Sequence, residues 1–288
     1  MIQLYFLRYL ELIKPKIIFG NLISLIGAFF LASKGDVNFS LLLSSMIGTS
    51  LIIASACIMN NIIDRDIDKR MQRTKNRILV KNIFSIKMVF YVSLLLFIIG
   101  MCIFYFFVNI LSMLLILMAF FIYVVVYSIY MKRNSIYSTF IGSVSGSIPP
   151  VVGYCSVVNN FDICAFILFL MFIFWQIPHS YAIAICYFND YKKENIPVLP
   201  ISRGILVAKY YIILYILCFI VLSLMLTIMG YTGYKYFLCL LLLGLAWLYL
   251  GIKGLYITND FIWARELFYF SIILIFITSI MISIDFIP

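Results

Sequence analysis

The chain has 288 residues, of which 65% are hydrophobic and only 11% charged, with a mean hydropathy of +1.14, a balance outside the range of soluble globular domains. The formal net charge of +10 sits in short gaps between long apolar runs, which points to a polytopic membrane protein and away from a nucleic-acid binder. No G-x-G-x-x-G, no G-K-[ST] and no Gly/Ser-rich or Pro-rich linker occurs, so a nucleotide-binding domain has no place in the chain.

Residues 1–16 carry Glu11 with Arg8, Lys14 and Lys16 ahead of the first apolar run. That run reads as an uncleaved first helix and not as a signal peptide, and the lack of an Arg/Ser-rich presequence favours a bacterial inner membrane. Spans are predicted in order over 17–33, 40–63, 88–108, 111–131, 136–157, 163–186, 210–230, 235–252 and 267–287, each near the roughly 20 residues a bilayer requires. The expected fold is all-α: a single domain, 1–288, of nine transmembrane helices around a central cavity open to the cytoplasmic side. All Lys and Arg except Lys34 and Lys235 fall on one side of these spans, which places the N-terminus in the cytoplasm and the C-terminus on the periplasmic or extracellular face. Cys57, Cys102, Cys155, Cys164, Cys186, Cys218 and Cys239 show no paired spacing and read as free core residues.

The densest polar segment follows span two. If the helix continues through it, Asn60, Asp64 and Asp68 share one face at i, i+4 and i+8, and Arg65, Lys69 and Arg73 form a second stripe beside them. Carboxylate and amide oxygens of that kind hold Mg²⁺, and Lys and Arg neutralise the phosphate oxygens the metal bridges. The alternative is a solvated loop in which Asp66 and Arg70 form a surface pair and the charges only set topology. A second polar segment follows span six, with Asp190, Lys192, Lys193 and Glu194 on the same side. Inside span six, next to Pro178, stands His179, the single histidine. It reads either as an iron ligand or as a neutral imidazole bonded to a carbonyl freed by the proline. Gly142 and Gly146 mean tight helix packing or room for a bulky substrate, and Pro149-Pro150 is expected to break span five.

Asn60-x3-Asp64-x3-Asp68, the run Arg73-Thr-Lys-Asn-Arg77 and the acidic second loop resemble the UbiA-type intramembrane prenyltransferase superfamily. Within it, the segments from Asn60 to Arg77, Tyr127 to Arg133, Gly142 to Tyr154, Pro178 to Ile185 and Ile196 to Pro200 resemble the haem-farnesylating branch. The resemblance implies transfer of a farnesyl group from farnesyl diphosphate to a vinyl group of haem B with addition of water, giving haem O and diphosphate, with Mg²⁺ as cofactor. It implies Asp64, Asp68 and Asp190 as catalytic acids and Asn60, Asp64, Asp68 and Asp190 as metal ligands. The diphosphate contacts implied are Asn60, Arg65, Lys69, Arg73, Lys75, Arg77, Lys132, Arg133 and Lys193, with His179 as the haem contact. Glu194 stands where relatives outside that branch carry Asp, and Asn189 where a Lys is expected. The partners implied are the two substrates and the lipid bilayer, with hand-off of product to a haem A synthase or a terminal oxidase and no nucleic acid. A quinone-precursor prenyltransferase and a transporter or haem-binding subunit are the competing readings; midplane charges, the usual mark of a transporter, are missing.

Overall fold

The structure, a computed structural model, describes residues 11–287, so Arg8 and the first ten positions of the N-terminal arm lie outside the described residues. Among those described, nine helices are long and apolar enough to cross a bilayer. In chain order they and their short companions are α1 (Pro15–Ser33), α2 (Phe39–Ile63), the short α3 (Arg65–Arg70), α4 (Ile86–Phe107) and α5 (Ile110–Asn134). A fifth span split into α6 (Ser138–Gly146) and α7 (Ile148–Val158) leads into α8 (Ile163–Cys186). Two short helices, α9 (Phe188–Lys193) and α10 (Leu199–Ser202), precede α11 (Ile205–Ile228), α12 (Tyr234–Lys253) and α13 (Asp260–Ile284). Helices are the form such apolar runs must take, because hydrocarbon offers no partner to a free peptide group.

The loops supply the starts. Asn38, Ser85, Asn109, Asp162 and Asn259 each accept a hydrogen bond from a backbone N–H in the first turn of the helix they precede, satisfying donors that the helix leaves open. Pro15 opens α1 and Pro149 stands in the first turn of α7, where the missing N–H costs nothing. The expected break in span five therefore falls at Ser147, between two helices.

The two largest apolar clusters of the core both draw on α1 and α7. Leu25, Phe29, Ile148 and Val152 pack with residues of α2, α4 and α5. Ala28, Leu31, Val151 and Tyr154 pack with α8, α11, α12 and α13. Close approach of α1 to its neighbours requires small residues: a Cβ at Gly153 would run into the Leu25 carbonyl oxygen, and one at Gly27 would lie 2.7 Å from the Ser279 carbonyl oxygen, the packing that drives helix association in lipid.

Helix ends depart from the hydropathy reading where charges are paired. The seventh span begins at Ile205 and the ninth at Asp260, earlier than expected. Lys209 explains both, since its ammonium lies 2.5 Å from Asp260 and 5.2 Å from the centre of the Trp263 ring, so a charged turn continues each helix instead of ending it. The polar segments that follow the second and sixth spans lie at this same end of the bundle.

Replacing Gly153 by Leu is expected to destabilise the protein by about 1–3 kcal/mol through overpacking, read as a lower thermal unfolding midpoint in detergent. An unchanged midpoint would show that α1 and α7 are not in backbone contact.

Candidate active site

α2 ends at Ile63 and α3 begins at Arg65, with Asp64 between them at φ −86°, ψ 1°. The break does not disperse the acids. The Asp64 N–H still donates to the Asn60 carbonyl at 2.9 Å, and the Asp68 N–H to the Asp64 carbonyl at 2.8 Å, so the expected four-residue spacing survives the irregular turn. Asn60, Asp64 and Asp68 are 4%, 1% and 4% exposed, and all three line a cavity of about 550 Å³.

α5 supplies the opposite wall. Its stretch Ile122–Met131 is a π-helix, a form frequent at functional sites. The wider turn carries Tyr123 and Tyr127, stacked at 5.5 Å between ring centres, into the cavity lining. Ser128 receives a hydrogen bond from the Asn60 amide at 3.2 Å and donates to the Tyr123 carbonyl at 2.9 Å. Just beyond, Lys132 forms an ion pair with Asp64 Oδ2, the same oxygen that accepts from Asn60 Nδ2 at 2.7 Å.

Four further cations, Lys14, Lys16, Arg73 and Arg77, line the same space. Arg77 Nη1 lies 2.5 Å from Asp68 Oδ2, and Thr74 steadies that turn by donating to the Asp68 carbonyl at 3.1 Å. Arg73 lines the cavity with its guanidinium 4.8 Å from the centre of the Tyr187 ring. Lys14 is the residue the sequence did not single out: its Nζ donates to Asn60 Oδ1 at 2.9 Å. Its backbone takes a left-handed conformation, φ 53°, immediately before Pro15, and Asn61 Nδ2 ties the preceding turn down through the Leu12 carbonyl at 3.0 Å. Burial pulls the Lys14 ammonium down to about 8, with Arg77 and Lys132 adding to the effect, so an anion entering the cavity would favour its charged form.

Other candidates lie elsewhere. The expected basic stripe does not form: Arg65 turns away to the Leu79 carbonyl at 2.9 Å and to Asn82, Lys69 is exposed, and only Arg73 of the three reaches the cavity. Lys75 bonds to Gln72 at 2.6 Å. Arg133 grips Asp66 with two bonds, at 2.8 and 2.7 Å, and holds its carboxyl below the usual range. The Asp66–Arg70 pair of the solvated-loop alternative does not form: Asp66 pairs with Arg133 and Arg70 with Glu194. Asp190, from α9, does not line the cavity; its two oxygens accept the backbone N–H groups of Gln72 and Arg73 at 3.1 and 3.0 Å. Lys193 donates to the Arg70 carbonyl at 3.4 Å. The spacing along the chain could not show these partners, which come from a different loop.

His179 also stands apart from this cavity, between α8 and α13. Its ring lies 5.0 Å from Trp175 and 4.9 Å from Phe268, and Nδ1 is 2.7 Å from Ser271 Oγ. That hydroxyl also lies 2.6 Å from the Phe268 carbonyl; with its proton on that carbonyl, the imidazole proton sits on Nδ1 and Nε2 keeps its lone pair. The partner is a serine and not a carbonyl freed by Pro178. Gly146 and Gly142 are packing positions, since a Cβ would strike the Gln176 amide at the first and lie 3.2 Å from the Tyr127 ring at the second.

The donor set suits a hard divalent cation. Asp64 Oδ1 is buried with no hydrogen-bond partner, a costly state unless another ligand completes it, and Asn60 and Asp68 add oxygens nearby. Among the described residues no three His, Cys, Asp or Glu side chains converge to hold a metal alone; a cation here would share its coordination with a bound anion, as Mg²⁺ does with phosphates.

Residues 21–280 match the model of the UbiA prenyltransferase family. The chain is 54% identical to the protoheme IX farnesyltransferase of Yersinia pseudotuberculosis over 97% of this chain and 95% of that one. It is 50% identical to the protoheme IX farnesyltransferase of Pseudomonas savastanoi over the same shares. Among solved structures it superposes on a digeranylgeranylglyceryl phosphate synthase with a TM-score of 0.81 at 19% identity, covering 99% of both chains. It superposes on a UbiA homologue from Archaeoglobus fulgidus bound to DMAPP and Mg²⁺ with a TM-score of 0.74 at 14% identity, covering 96% of this chain and 99% of that one.

Replacing Lys14 by Ala removes one charge-assisted hydrogen bond, so it is expected to weaken inorganic diphosphate binding by about 1.5 kcal/mol, roughly tenfold. Isothermal titration in the presence of Mg²⁺ measures it, and unchanged affinity would take Lys14 out of the anion site.

Proposed function

The chain belongs to the UbiA prenyltransferase family, and from that we infer that it transfers the farnesyl group of farnesyl diphosphate to a vinyl group of haem B, giving haem O and diphosphate. The observation that carries the reading is the buried, half-satisfied carboxylate of Asp64 facing a cavity ringed by Lys14, Arg73, Arg77 and Lys132. The relatives named above for this activity supply the acceptor, and the A. fulgidus homologue supplies the precedent for a prenyl diphosphate with Mg²⁺.

Asn60, Asp64 and Asp68 are the residues that would hold the magnesium. Bound there, Mg²⁺ would offset charge on the diphosphate and make the allylic C–O bond easier to break. The chain's own cations do the same work from the other sides: Lys132, Arg77, Arg73 and Lys14 are aimed at the space where leaving-group charge develops. Tyr123 and Tyr127 present aromatic faces beside it, suited to an allylic cation. The apolar walls keep water from that cation until the vinyl carbon has formed its new C–C bond. Water then adds to the carbon next to the porphyrin and loses a proton, which leaves a hydroxyethylfarnesyl group and free diphosphate. Asp190 acts in this account by holding the backbone at Gln72 and Arg73, and Arg65, Lys69, Lys75, Arg133 and Lys193 shape the loops around the mouth.

His179, with Nδ1 fixed by Ser271 and Nε2 free, is the residue we assign to the haem iron, between the faces of Trp175 and Phe268. The excess of Lys and Arg at the site-bearing end supports a cytoplasmic mouth in a bacterial inner membrane, with the C-terminus on the outer face. Product then passes to an enzyme or oxidase that takes haem O.

Two outcomes are expected. Asp64→Ala and Asp68→Ala, each purified as a folded protein, should lose at least about a thousandfold in haem O formation followed by mass spectrometry, and normal turnover in both would remove the metal assignment. His179→Ala should shift the Soret band of bound haem B and weaken its binding by about tenfold; an unaltered spectrum would show that the iron is not ligated there.

A further inference from the structure

The second loop carries a buried carboxylate that the cavity does not use. Glu194 directly follows α9, its side chain is 4% exposed, and its Oε2 lies 2.7 Å from Arg70 Nε at the end of α3. A carboxylate that deep is costly unless paired. Three more contacts join the same two segments: Lys193 to the Arg70 carbonyl, and Asp190 to the N–H groups of Gln72 and Arg73. Immediately after Glu194, Asn195 takes a left-handed backbone, φ 51°. The turn it makes buries Ile196 and Val198 in one apolar cluster with Ile67 and Met71, directly beneath the clamped stretch.

What is clamped is the stretch from which Arg73 reaches the cavity. Glu194 itself does not line that cavity, and its paired oxygen already has a partner. We propose that Glu194 is a positioning residue and not a metal ligand, its ion pair with Arg70 locking the two loops together so that Arg73 stays aimed at the diphosphate of the prenyl substrate. This rests on the prenyl diphosphate reading above. The two roles for Glu194 differ in one respect that chemistry can test: a clamp needs opposite charges in either order, whereas a metal ligand needs an oxygen at position 194.

The test is isothermal titration of the full chain in detergent with farnesyl thiolodiphosphate, an inert sulfur-bridged analogue, over a range of Mg²⁺ concentrations. The parent should bind in a Mg²⁺-dependent way; failure to bind would overturn the prenyl diphosphate reading itself. Glu194→Gln and Arg70→Gln should each weaken binding roughly threefold to tenfold and leave the half-saturating Mg²⁺ concentration unchanged. The double reversal Arg70→Glu with Glu194→Arg should recover most of the affinity that either reversal alone loses. A tenfold rise in the Mg²⁺ required by Glu194→Gln would make Glu194 a ligand and overturn the proposal. So would a double reversal that unfolds at the parent's temperature but binds no better than the single reversals. Should the reversals fail to fold, the Mg²⁺ titration of Glu194→Gln decides alone.

Discussion

A carboxylate that is 1% exposed at the end of a membrane helix must be neutralised by its surroundings, and the neighbours of Asp64 are arranged around that requirement. One oxygen takes Lys132 and the Asn60 amide; the other has no partner. To bring Lys132 there, α5 must carry it on a helical frame past the point where hydropathy alone ends the span. To bring the amide there, Asn60 must be anchored at its own oxygen by Lys14. The π-helical stretch of α5 sets the register between Tyr123, Ser128 and Lys132, so that aromatic, hydroxyl and ammonium groups face the acids together.

Away from this end the fold is held by close helix packing. Helices α1 and α7, in backbone contact at Gly153, belong to both of the largest apolar clusters and make one body of the two halves. At the far end Asp285 caps α12, accepting from the Tyr236 N–H at 2.7 Å. Beside the site the two loops are held by polar contacts, the Arg70–Glu194 pair and Asp190 on the Gln72 and Arg73 N–H groups, over the apolar cluster of Ile67, Met71, Ile196 and Val198.

Much of this was legible in the sequence. The nine spans follow from length and apolarity, and the shared face of Asn60, Asp64 and Asp68 follows from four-residue spacing, which holds even though the helix is interrupted at Asp64. What spacing could not show are contacts between distant segments. Lys14 was one of several basic residues in an arm, yet it bonds to Asn60, 46 positions away. Arg133 lay beside Lys132 in sequence, but successive residues on a helix point about 100° apart, so one meets Asp64 and the other Asp66. Arg65, Lys69 and Arg73 would have stayed on one face only in an unbroken helix, and α3 ends at Arg70. The early starts of α11 and α13 were hidden because a lone Lys or Asp argues against a span, whereas Lys209 paired with Asp260 does not.

The central claim is that this cavity joins a farnesyl group to haem in a metal-dependent way. The most direct measurement is to incubate the purified chain in detergent with haem B, farnesyl diphosphate and Mg²⁺ and to examine the haem by mass spectrometry. Haem carrying a hydroxyethylfarnesyl group should form with Mg²⁺ and be lost on addition of EDTA. Unmodified haem B from folded, haem-loaded protein, in an assay where an active relative makes product, would contradict that claim.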